Sequence, residues 1–404
     1  MSVATELLGG RPWCLLHQMF EAQCDRIPWA VAVSSAEESL TFTQLERRAN
    51  SLARRLQRLG VSVDTPVGVC AERSLDMVVG VLAVLKAGGA CVPLDPAQSR
   101  KRLASLIEDI RPLVVLVQKE FVERLPAAGT LLTLEDLPEE NRERPYSWAS
   151  LSSLAYVICT TGPSEIAKWV MIPHAAIASY VLWMMKRFPL RGEDAILQTT
   201  PFTLVSSIWE LFLPLLAGAR LVMARPSEHQ NVSYLTSTVA TEKVTVLQLT
   251  STLLEPFLED DGVAACGSLR WLFCGDRVLS GALVGRALTR LSAEVCNLRG
   301  VAECAISAWL YRRGNERAVV TAGLPLDNIR PHVLDMRLEP LCSGAPGELC
   351  VGGARLARGY WGRPDLTAER FVPDAWSSVP GERLYRTGSQ ARCRENGEIE
   401  DLGN

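Results

Sequence analysis

The most informative part of the sequence is Leu154-Ala-Tyr-Val-Ile-Cys-Thr-Thr-Gly-Pro-Ser-Glu-Ile-Ala-Lys-Trp-Val-Met-Ile-Pro-His174. It begins with an apolar run, Leu154–Cys159, that is typical of a buried strand, and it continues directly into Thr160, Thr161 and Gly162. Strands that open into hydroxyl side chains and glycine form the phosphate-binding turns of α/β proteins. The stretch therefore predicts an α/β fold with a phosphate loop after this strand.

Helices and strands alternate on both sides of this stretch. Thr43 and Glu46 form a capping-box pattern, which predicts a helix that ends at Gly60. The other predicted elements are Val67–Ala71, Leu75–Lys86, Ala90–Leu94, Gln98–Asp109, Leu113–Val117, Ala176–Arg187, Ala195–Thr199, Ile208–Leu216, Arg220–Met223, Val244–Leu249, Arg270–Phe273 and Val295–Leu298. This alternation indicates parallel sheets covered by helices on both faces.

The chain is predicted to contain three parts. Residues 1–125 form a first α/β layer with an N-terminal linker, and residues 126–315 form a second layer with the phosphate loop and a substrate pocket. Residues 316–404 are predicted to form a small β-barrel. The prediction depends on short runs separated by Gly and Pro, which are Val319–Ala322, His332–Leu334, Gly347–Val351 and Glu398–Asp401.

The composition is that of a globular protein, with 48% apolar residues, 22% charged residues and a net charge of −3. This balance gives no reason to expect nucleic-acid or membrane binding, and the apolar runs are too short to span a bilayer. No basic and apolar leader is visible, so a cytoplasmic location is expected. The 12 cysteines form no Cys-x-x-Cys pair and are expected to be reduced, and the 4 histidines form no metal pattern.

Further segments occur in a fixed order along the chain. They are Leu40–Leu45, Leu82–Pro96, Ile208–Phe212, Asn297–Glu303, Gly347–Gly353, Ala357–Tyr360 and Tyr385–Ser389. Together with Leu154–His174, this series resembles the adenylation domains of nonribosomal peptide synthetases, which are adenylate-forming ligases. The resemblance implies two βα-layered subdomains with largely parallel sheets plus a small β-barrel. The chain is expected to lack the small C-terminal subdomain of the family, which carries a lysine that contacts the reacting carboxylate.

The resemblance also implies a reaction and its cofactors, ATP and Mg²⁺. In the family a carboxylate oxygen attacks the α-phosphorus of ATP, pyrophosphate leaves, and the acyl group passes from the adenylate to a carrier-protein thiol. The expected partners are condensation and carrier-protein domains of a peptide synthetase, on the same chain or on another. A small adenylation-domain chaperone is a further candidate.

The phosphate loop departs from the family pattern, Thr-Ser-Gly-Ser-Thr-Gly-Lys-Pro-Lys-Gly. Pro163 replaces a serine, which removes a hydroxyl and a backbone donor. Glu165 stands where glycine lets the backbone approach the phosphates, and its carboxylate repels a polyanion. An ordinary surface turn is the alternative interpretation. The resemblance assigns the degenerate loop to Thr160, Thr161, Gly162, Ser164, Glu165 and Lys168.

The other implied nucleotide contacts lie on three segments. Ser389 stands where the family has an aspartate that binds both ribose hydroxyls, so a neutral acceptor replaces a charged one. Arg299 replaces a tyrosine that stacks on adenine, and a guanidinium can also stack on a base. Glu303 stands at the position of the magnesium-binding glutamate, with a plain loop acid as the alternative. The nucleotide-site remnants are Gly275, Asp276, Arg299, Gly300 and Ser389.

The implied acyl pocket has lost its charged group. Val205 stands where amino-acid-activating relatives place an aspartate on the α-ammonium, and burying an unpaired ammonium costs several kcal/mol. An α-amino acid is therefore a poor candidate, whereas a keto, hydroxy, aryl or β-amino acid is compatible. A filled, ligand-free pocket is the alternative. The residues expected at the pocket are Val205, Ser206, Trp209, Gln248, Cys274, Leu298, Ile306 and Ser307.

Two functional hypotheses follow. The first is a degenerate adenylation domain, impaired or inactive, with a structural or docking role in a peptide-synthetase assembly line. It is favoured because the departures coincide at the phosphate, ribose, base and acyl positions, whereas the packing segments are intact. The second is a divergent ATP-dependent ligase that activates an acid without an α-ammonium, and Thr160, Thr161, Lys168 and Glu303 favour it.

Overall fold

The computed structural model describes residues 14–126, 129–135, 143–161, 167–275, 277, 279–304, 306–311, 329–395 and 399–403. The chain divides into two compact units, with the boundary after Leu235. In the part of the chain that is described, no helix is long and apolar enough to cross a membrane. All 12 cysteines lie among the described residues, none of them forms a disulfide, and most are buried.

The first unit alternates helices with short strands. Its helices are α1 (Leu16–Arg26), α2 (Phe42–Arg58), α3 (Leu75–Ala87), α4 (Arg100–Ile110), α5 (His174–Arg187) and α6 (Ser207–Ala217). Its strands are β1 (Val31–Ser34), β2 (Ser39–Thr41), β3 (Pro66–Cys70), β4 (Ala90–Leu94), β5 (Val114–Val117), β6 (Thr130–Thr133), β7 (Leu154–Thr161), β8 (Ala167–Pro173), β9 (Ala195–Gln198) and β10 (Arg220–Met223). The predicted α/β class is confirmed.

One sheet of this unit contains the strands β8-β7-β4-β3-β5-β6 in that order. The pairs β7–β4, β4–β3, β3–β5 and β5–β6 are parallel, and β7–β8 is antiparallel. Strands β4 and β5 are buried at every residue, as expected for parallel strands covered on both faces. Strands from both sides of residue 126 therefore share this sheet, and the three-part division of the chain stays a prediction.

The second group of paired strands in this unit has the order β9-β10-β1-β2. The pairs β9–β10 and β10–β1 are parallel, and β1–β2 is antiparallel. Helix α1, which the sequence analysis did not predict, caps the C-terminal end of α6. Gln23 Nε2 donates to Leu216 O at 2.7 Å, and Arg26 Nη2 donates to Ala217 O at 3.5 Å. These bonds satisfy carbonyls that have no partner within a helix.

The predicted start of helix α2 is wrong by two residues. The capping box is formed by Thr41 and Gln44 instead of Thr43 and Glu46. Thr41 Oγ1 accepts from Gln44 N at 3.2 Å, and Gln44 Oε1 accepts from Thr41 N at 2.9 Å. Both pairs have the spacing of a capping box, and the packing of the buried Phe42 makes it the first helical residue.

The second unit begins with parallel strands and ends in an antiparallel sheet. Its helices are α7 (Val232–Thr241), which crosses the boundary, α8 (Ser251–Glu259), α9 (Gly281–Arg290) and α10 (Pro364–Arg370). Its strands are β11 (Val246–Leu249), β12 (Trp271–Cys274), β13 (Glu294–Gly300), β14 (Ile306–Tyr311), β15 (Ile329–Leu334), β16 (Pro346–Gly353), β17 (Gly359–Tyr360), β18 (Phe371–Pro373), β19 (Arg383–Cys393) and β20 (Ile399–Gly403). Strands β11, β12 and β13 are parallel neighbours, and β14 pairs antiparallel with β13.

The last sheet has the order β15-β16-β19-β18, with β20 paired to β19. All of these pairs are antiparallel. The sheet curls into a half-barrel, so the predicted small barrel is present in an open form. The predicted strand Val319–Ala322 lies outside the described residues.

Candidate functional site

The hairpin β7–β8 carries the predicted phosphate-loop residues at its tip. Strand β7 extends through Thr161, two residues beyond its predicted end, because Thr160 pairs with Lys168 and Thr161 pairs with Ala167. The Thr160 hydroxyl donates to Lys168 O at 3.4 Å, so it is directed at its own hairpin. Three of the predicted loop residues, Gly162, Ser164 and Glu165, lie outside the described residues.

The carboxyl ends of β11, β12 and β13 bring several predicted residues together. Leu249 pairs with Cys274, and Cys274 pairs with Asn297, so Gln248, Cys274 and Leu298 lie at one edge of adjacent strands. Gly275 follows β12, and a Cβ atom there would lie 3.7 Å from Leu298 O and 3.8 Å from Gln248 Cδ. The predicted residue Asp276 lies outside the described residues.

Asn297 is a site residue that the sequence analysis did not select. Its side-chain amide donates to Cys274 O and to Arg277 O, both at 2.9 Å. Because the amide nitrogen is committed to two carbonyls, the position of Oδ1 is fixed. This Oδ1 atom is buried and accepts no hydrogen bond from any described residue. A fixed, buried acceptor beside Gly275 suits the exocyclic amine of a base. The signal available in sequence was the position of Asn297 at the start of the segment that ends at Glu303.

Beyond Asn297, strand β13 continues to the predicted base and metal positions. Arg299 pairs with Ser307 and Gly300 pairs with Ile306 in the antiparallel register, so the backbones of these four predicted residues lie side by side. The segment then turns to Glu303, which is 8% exposed.

Glu303 is held by two groups from the segment 357–360. The Tyr360 hydroxyl donates to Glu303 Oε1 at 2.9 Å, and Ala357 N donates to Glu303 O at 2.9 Å. Burial, together with the Glu303 carboxylate, raises the pKa of the Tyr360 hydroxyl well above its usual range. The tyrosine therefore remains a donor to Glu303 throughout the physiological pH range. Among the described residues, no group of three or more His, Cys, Asp or Glu side chains can hold a metal ion.

Ser389 lies within β19, in a bulge of residues 387–389 opposite Leu349 of β16, and hydrogen bonds brace this bulge. Its backbone N–H donates to Thr387 Oγ1 at 3.0 Å, and the Thr387 hydroxyl donates to Leu349 O at 2.7 Å. Gly388 has φ +77°, a conformation that favours glycine, and its N–H donates to Glu348 Oε1 at 3.1 Å. Glu348 Oε2 accepts from Arg386 Nη2 at 2.6 Å. Glu348, the acid that contacts this bulge, is therefore already paired. A cavity of about 240 Å³ beside the bulge is lined by Glu348, Glu369, Arg370, Arg386, Gly388 and Gln390.

The predicted pocket residues of the first unit surround the start of α6. Val205 and Ser206 are partly exposed, and Ser206 is the N-cap residue of the helix without a side-chain capping bond. Trp209 is completely buried. The residue after it, Glu210, is also completely buried, which the sequence analysis did not predict.

The Glu210 carboxylate is enclosed by polar groups of the segment that precedes α6. Oε2 accepts from Thr200 N at 3.1 Å and from Gln198 Nε2 at 3.0 Å, and Oε1 accepts from the Thr200 hydroxyl at 2.8 Å. Burial raises the pKa of Glu210 to about 7, against the opposing effect of these hydrogen bonds and of Arg73. The carboxylate is therefore not available to a ligand in the pocket.

Comparison with known proteins places these features in context. Residues 20–361 match the family model described as AMP-binding enzyme. Tyrocidine synthase 3 of Brevibacillus parabrevis is 40% identical over 400 residues, which are 96% of this chain and 6% of that protein. The phosphinothricin tripeptide synthetase PhsB of Streptomyces viridochromogenes is 39% identical over 408 residues, which are 99% of this chain and 34% of PhsB. The chain thus spans a minor part of these curated relatives.

Solved structures show the same fold. The nonribosomal peptide synthetase FmoA3 is similar with a TM-score of 0.88 and 29% identity, over 97% of this chain and 42% of FmoA3. The N-terminal subdomain of Klebsiella oxytoca NpsA is similar with a TM-score of 0.86 and 25% identity, over 96% of this chain and 99% of that subdomain. FmoA3 has been solved with AMPPNP bound, and the NpsA subdomain in complex with 3-hydroxybenzoyl-AMSN.

Proposed function

Since the chain belongs to the AMP-binding enzyme family and has the fold of the large subdomain of a nonribosomal peptide synthetase adenylation domain, we propose that it is a degenerate adenylation domain. In this proposal its nucleotide binding is strongly weakened, and it serves the assembly line in a structural or docking role.

The β19 bulge that holds Ser389 carries the proposal. A ribose offers two hydroxyl donors, and Ser389 supplies one neutral hydroxyl at the position that resembles the family's aspartate. Glu348, on the neighbouring strand β16, is engaged by Arg386 and by the Gly388 N–H. A hydrogen bond to a charged group contributes roughly 1.5–3 kcal/mol, so its loss weakens nucleotide binding about tenfold to a hundredfold.

The start of α6 supports the same conclusion for an α-amino acid substrate. Val205 offers no charge to an α-ammonium, and Glu210, the acid in the first turn of α6, is bonded to Thr200 and Gln198. A buried ammonium at this position would therefore have no carboxylate partner, because Val205 has none and the Glu210 carboxylate is already bonded.

A second candidate function is favoured by Asn297. Its Oδ1 atom is a fixed, buried acceptor with no partner among the described residues, and it fits the exocyclic amine of adenine. We propose as the alternative that the chain activates an acid without an α-ammonium for transfer to a carrier-protein thiol. The NpsA subdomain, which this chain resembles over nearly its whole length, has been solved with a 3-hydroxybenzoyl compound, which is derived from such an acid.

The described residues fit ATP and Mg²⁺ only in part. Asn297 suits the base, Ser389 gives weak support to the ribose, and Glu303 would be the protein ligand to Mg²⁺. With a single carboxylate in place, the other metal ligands would be phosphate oxygens and water. The site favours a nucleotide that binds weakly over one held for catalysis.

The proposed partners are condensation and carrier-protein domains. This proposal is supported by the small share that the matching region takes of its curated relatives, 6% of tyrocidine synthase 3 and 34% of PhsB. A domain that no longer activates an acid could still hold its neighbours at a productive spacing.

Calorimetric titration with ATP–Mg²⁺, followed by acid-dependent pyrophosphate exchange, tests the proposal. The acids would include α-amino, keto, hydroxy, aryl and β-amino acids, and the protein would be the full-length gene product. We expect weak or undetectable ATP binding and no exchange. Tight binding with exchange for an aryl, keto, hydroxy or β-amino acid would establish the second function, and exchange for an α-amino acid would contradict both.

A further inference from the structure

Residues 199–206, here called the pocket segment, connect β9 to helix α6. The segment carries Val205 and Ser206, two of the residues expected at the acyl pocket. Pro201 and Leu204 are exposed, Leu204 at 50%, whereas Phe202 and Thr203 are half-buried. Hydrogen bonds hold the segment at its two ends.

At its first end the segment is bound to Glu210. The Thr200 N–H and the Thr200 hydroxyl both donate to the Glu210 carboxylate, at 3.1 and 2.8 Å. Gln198 Nε2, on the last residue of β9, donates to the same carboxylate at 3.0 Å. The carboxylate thus joins the end of β9 and the start of the segment to the first turn of α6.

Arg73 binds the same end of the segment from a second direction. It lies between β3 and α3, and its Nη2 atom donates to Thr199 O at 2.6 Å. Its Nε atom donates to Gln198 Oε1 at 3.0 Å, and its Nη1 atom contacts His229 Nδ1 at 3.3 Å. Gln198 therefore bonds to Arg73 through its oxygen and to Glu210 through its nitrogen, which makes one continuous network.

The other end of the segment is held by the Ser207 side chain and by local backbone bonds. The Ser207 hydroxyl is within hydrogen-bond distance of Phe202 O at 3.1 Å and of Leu204 O at 2.7 Å. The backbone adds a turn in which Leu204 N donates to Pro201 O at 2.9 Å. These bonds form the segment into a compact turn but do not tie it to β9 or to α3.

We propose that Glu210, acting with Arg73, is the positioning residue that sets the conformation of the pocket segment and thereby the positions of Val205 and Ser206. The identification of the segment with an acyl pocket rests on the proposed family chemistry, whereas the positioning itself does not. Buried polar groups in a fully bonded network specify one conformation, and a missing member leaves several groups unpaired.

Glutamine is an informative replacement for Glu210. Its oxygen can accept from Thr200 N and Gln198, and its amide nitrogen can donate to Thr200 Oγ1, as a protonated carboxyl would. Leucine has a similar size but makes none of these bonds. If Glu210 only fills space, leucine should replace it without changing the segment. If Glu210 positions the segment, only glutamine should preserve the wild-type conformation.

Amide hydrogen exchange followed by mass spectrometry measures the outcome in E210Q, E210L and R73K. We expect E210L to raise exchange at residues 199–206 at least tenfold, and R73K, which loses the planar fork, to raise it about threefold. E210Q and the control E193Q, whose wild-type side chain is 73% exposed, should remain close to wild type. Peptides covering β3–β5 serve as the reference for global unfolding.

The proposal is overturned if both E210L and R73K keep wild-type exchange at residues 199–206. It is equally overturned if exchange rises by the same factor in β3–β5, since that result shows general destabilisation. If E210L does not fold, R73K and E210Q decide. Binding of the adenylate analogue 3-hydroxybenzoyl-AMSN to wild type is measured in a separate experiment. Absence of binding would contradict the proposed chemistry of the pocket. The hydrogen-exchange result would still decide whether Glu210 positions the segment.

Discussion

The imidazole rings of His17 and His174 lie edge to face, with their centroids 5.8 Å apart. Both are buried, at 4% and 0% exposure. The Leu16 N–H donates to His174 Nδ1 at 3.5 Å, and neither His17 Nδ1 nor His174 Nε2 has a partner among the described residues. Burial lowers the pKa of His174 to about 4, and burial with His174 and Lys86 nearby lowers the pKa of His17 well below its usual range. The pair is therefore neutral at neutral pH.

This pair should make the first unit sensitive to acid. The unfolded chain takes up protons on these histidines below pH about 6.5, whereas the folded chain resists, so stability falls as the pH drops from there toward 4. For His174 alone, the loss between pH 7.5 and pH 5 is about 2 kcal/mol. Asp64, which faces His174, acts in the opposite direction.

Urea unfolding of wild type and H174Q at the two pH values checks this prediction. H174Q should lose less stability on acidification by roughly that amount. H332Q replaces a half-buried histidine of the second unit whose pKa burial lowers less strongly, so it should reduce the acid loss by a smaller amount. An acid loss of equal size in H174Q would exclude the histidine as the cause.

Glu210 should have the opposite pH dependence. Its folded pKa, about 7, lies above the ordinary value of 4.5, so its contribution to stability is complete at low pH and is lost as the pH rises through 7. Between pH 5.5 and pH 8.5 wild type should lose about 2 kcal/mol relative to E210Q. Chemical denaturation of both proteins across this range measures the difference, and parallel curves would show that Glu210 does not titrate there.

The buried ammonium of Lys86 should be essential for stability. Its side chain has no exposed surface and pairs with Glu21 and, at 3.7 Å, with Glu46. K86M leaves Glu21 without this partner, although Arg144 still contacts Glu46 at 2.7 Å. We expect a cost of roughly 3 kcal/mol.

The matched control is K101M on the exposed side of α4, which should change stability by less than about 0.5 kcal/mol. Thermal or urea unfolding compares the two variants. The double variant with E21Q should recover part of the loss, and a K86M protein as stable as wild type would show that the buried pair contributes no net stability.

Restoring a charge at the ribose position should strengthen nucleotide binding. In S389D the braced β19 bulge, which includes Thr387 and Gly388, would present a carboxylate to both ribose hydroxyls. We expect ATP–Mg²⁺ to bind about tenfold to a hundredfold more tightly than to wild type. Calorimetry measures the change, with S292D as a surface control of equal charge. Unchanged affinity in S389D would locate the defect elsewhere in the site.

The sequence predicted the main layers of the fold because the strands are apolar runs of a length that a buried parallel sheet requires. Ala90–Leu94 is one example, and its predicted and observed bounds are identical. Amphipathic helices with weaker patterns, such as Leu16–Arg26 and Ser251–Glu259, were not predicted, since their identity depends on packing partners that periodicity does not reveal.

The candidate site was harder to predict than the fold. Glu210 follows a tryptophan in an apolar helix, and no local pattern indicates that Thr200 and Gln198 will enclose its carboxylate. His17 and His174 are too far apart in sequence to suggest contact. Residue identities did point to Ser389 and Val205, because a lost charge is visible in sequence, but whether a neighbouring acid substitutes for it depends on the folded geometry.

The bonds from Gln23 and Arg26 to the last carbonyls of α6 have a practical consequence for recombination of such chains. A chimera joined downstream of Arg26 takes residues 23 and 26 from one parent and helix α6 from the other. The capping residues and the helix that they cap, 193 positions apart for Gln23 and Leu216, then come from different proteins. The donor segment must therefore supply an amide at position 23 and a guanidinium at position 26. Splice points upstream of Leu16 avoid this incompatibility.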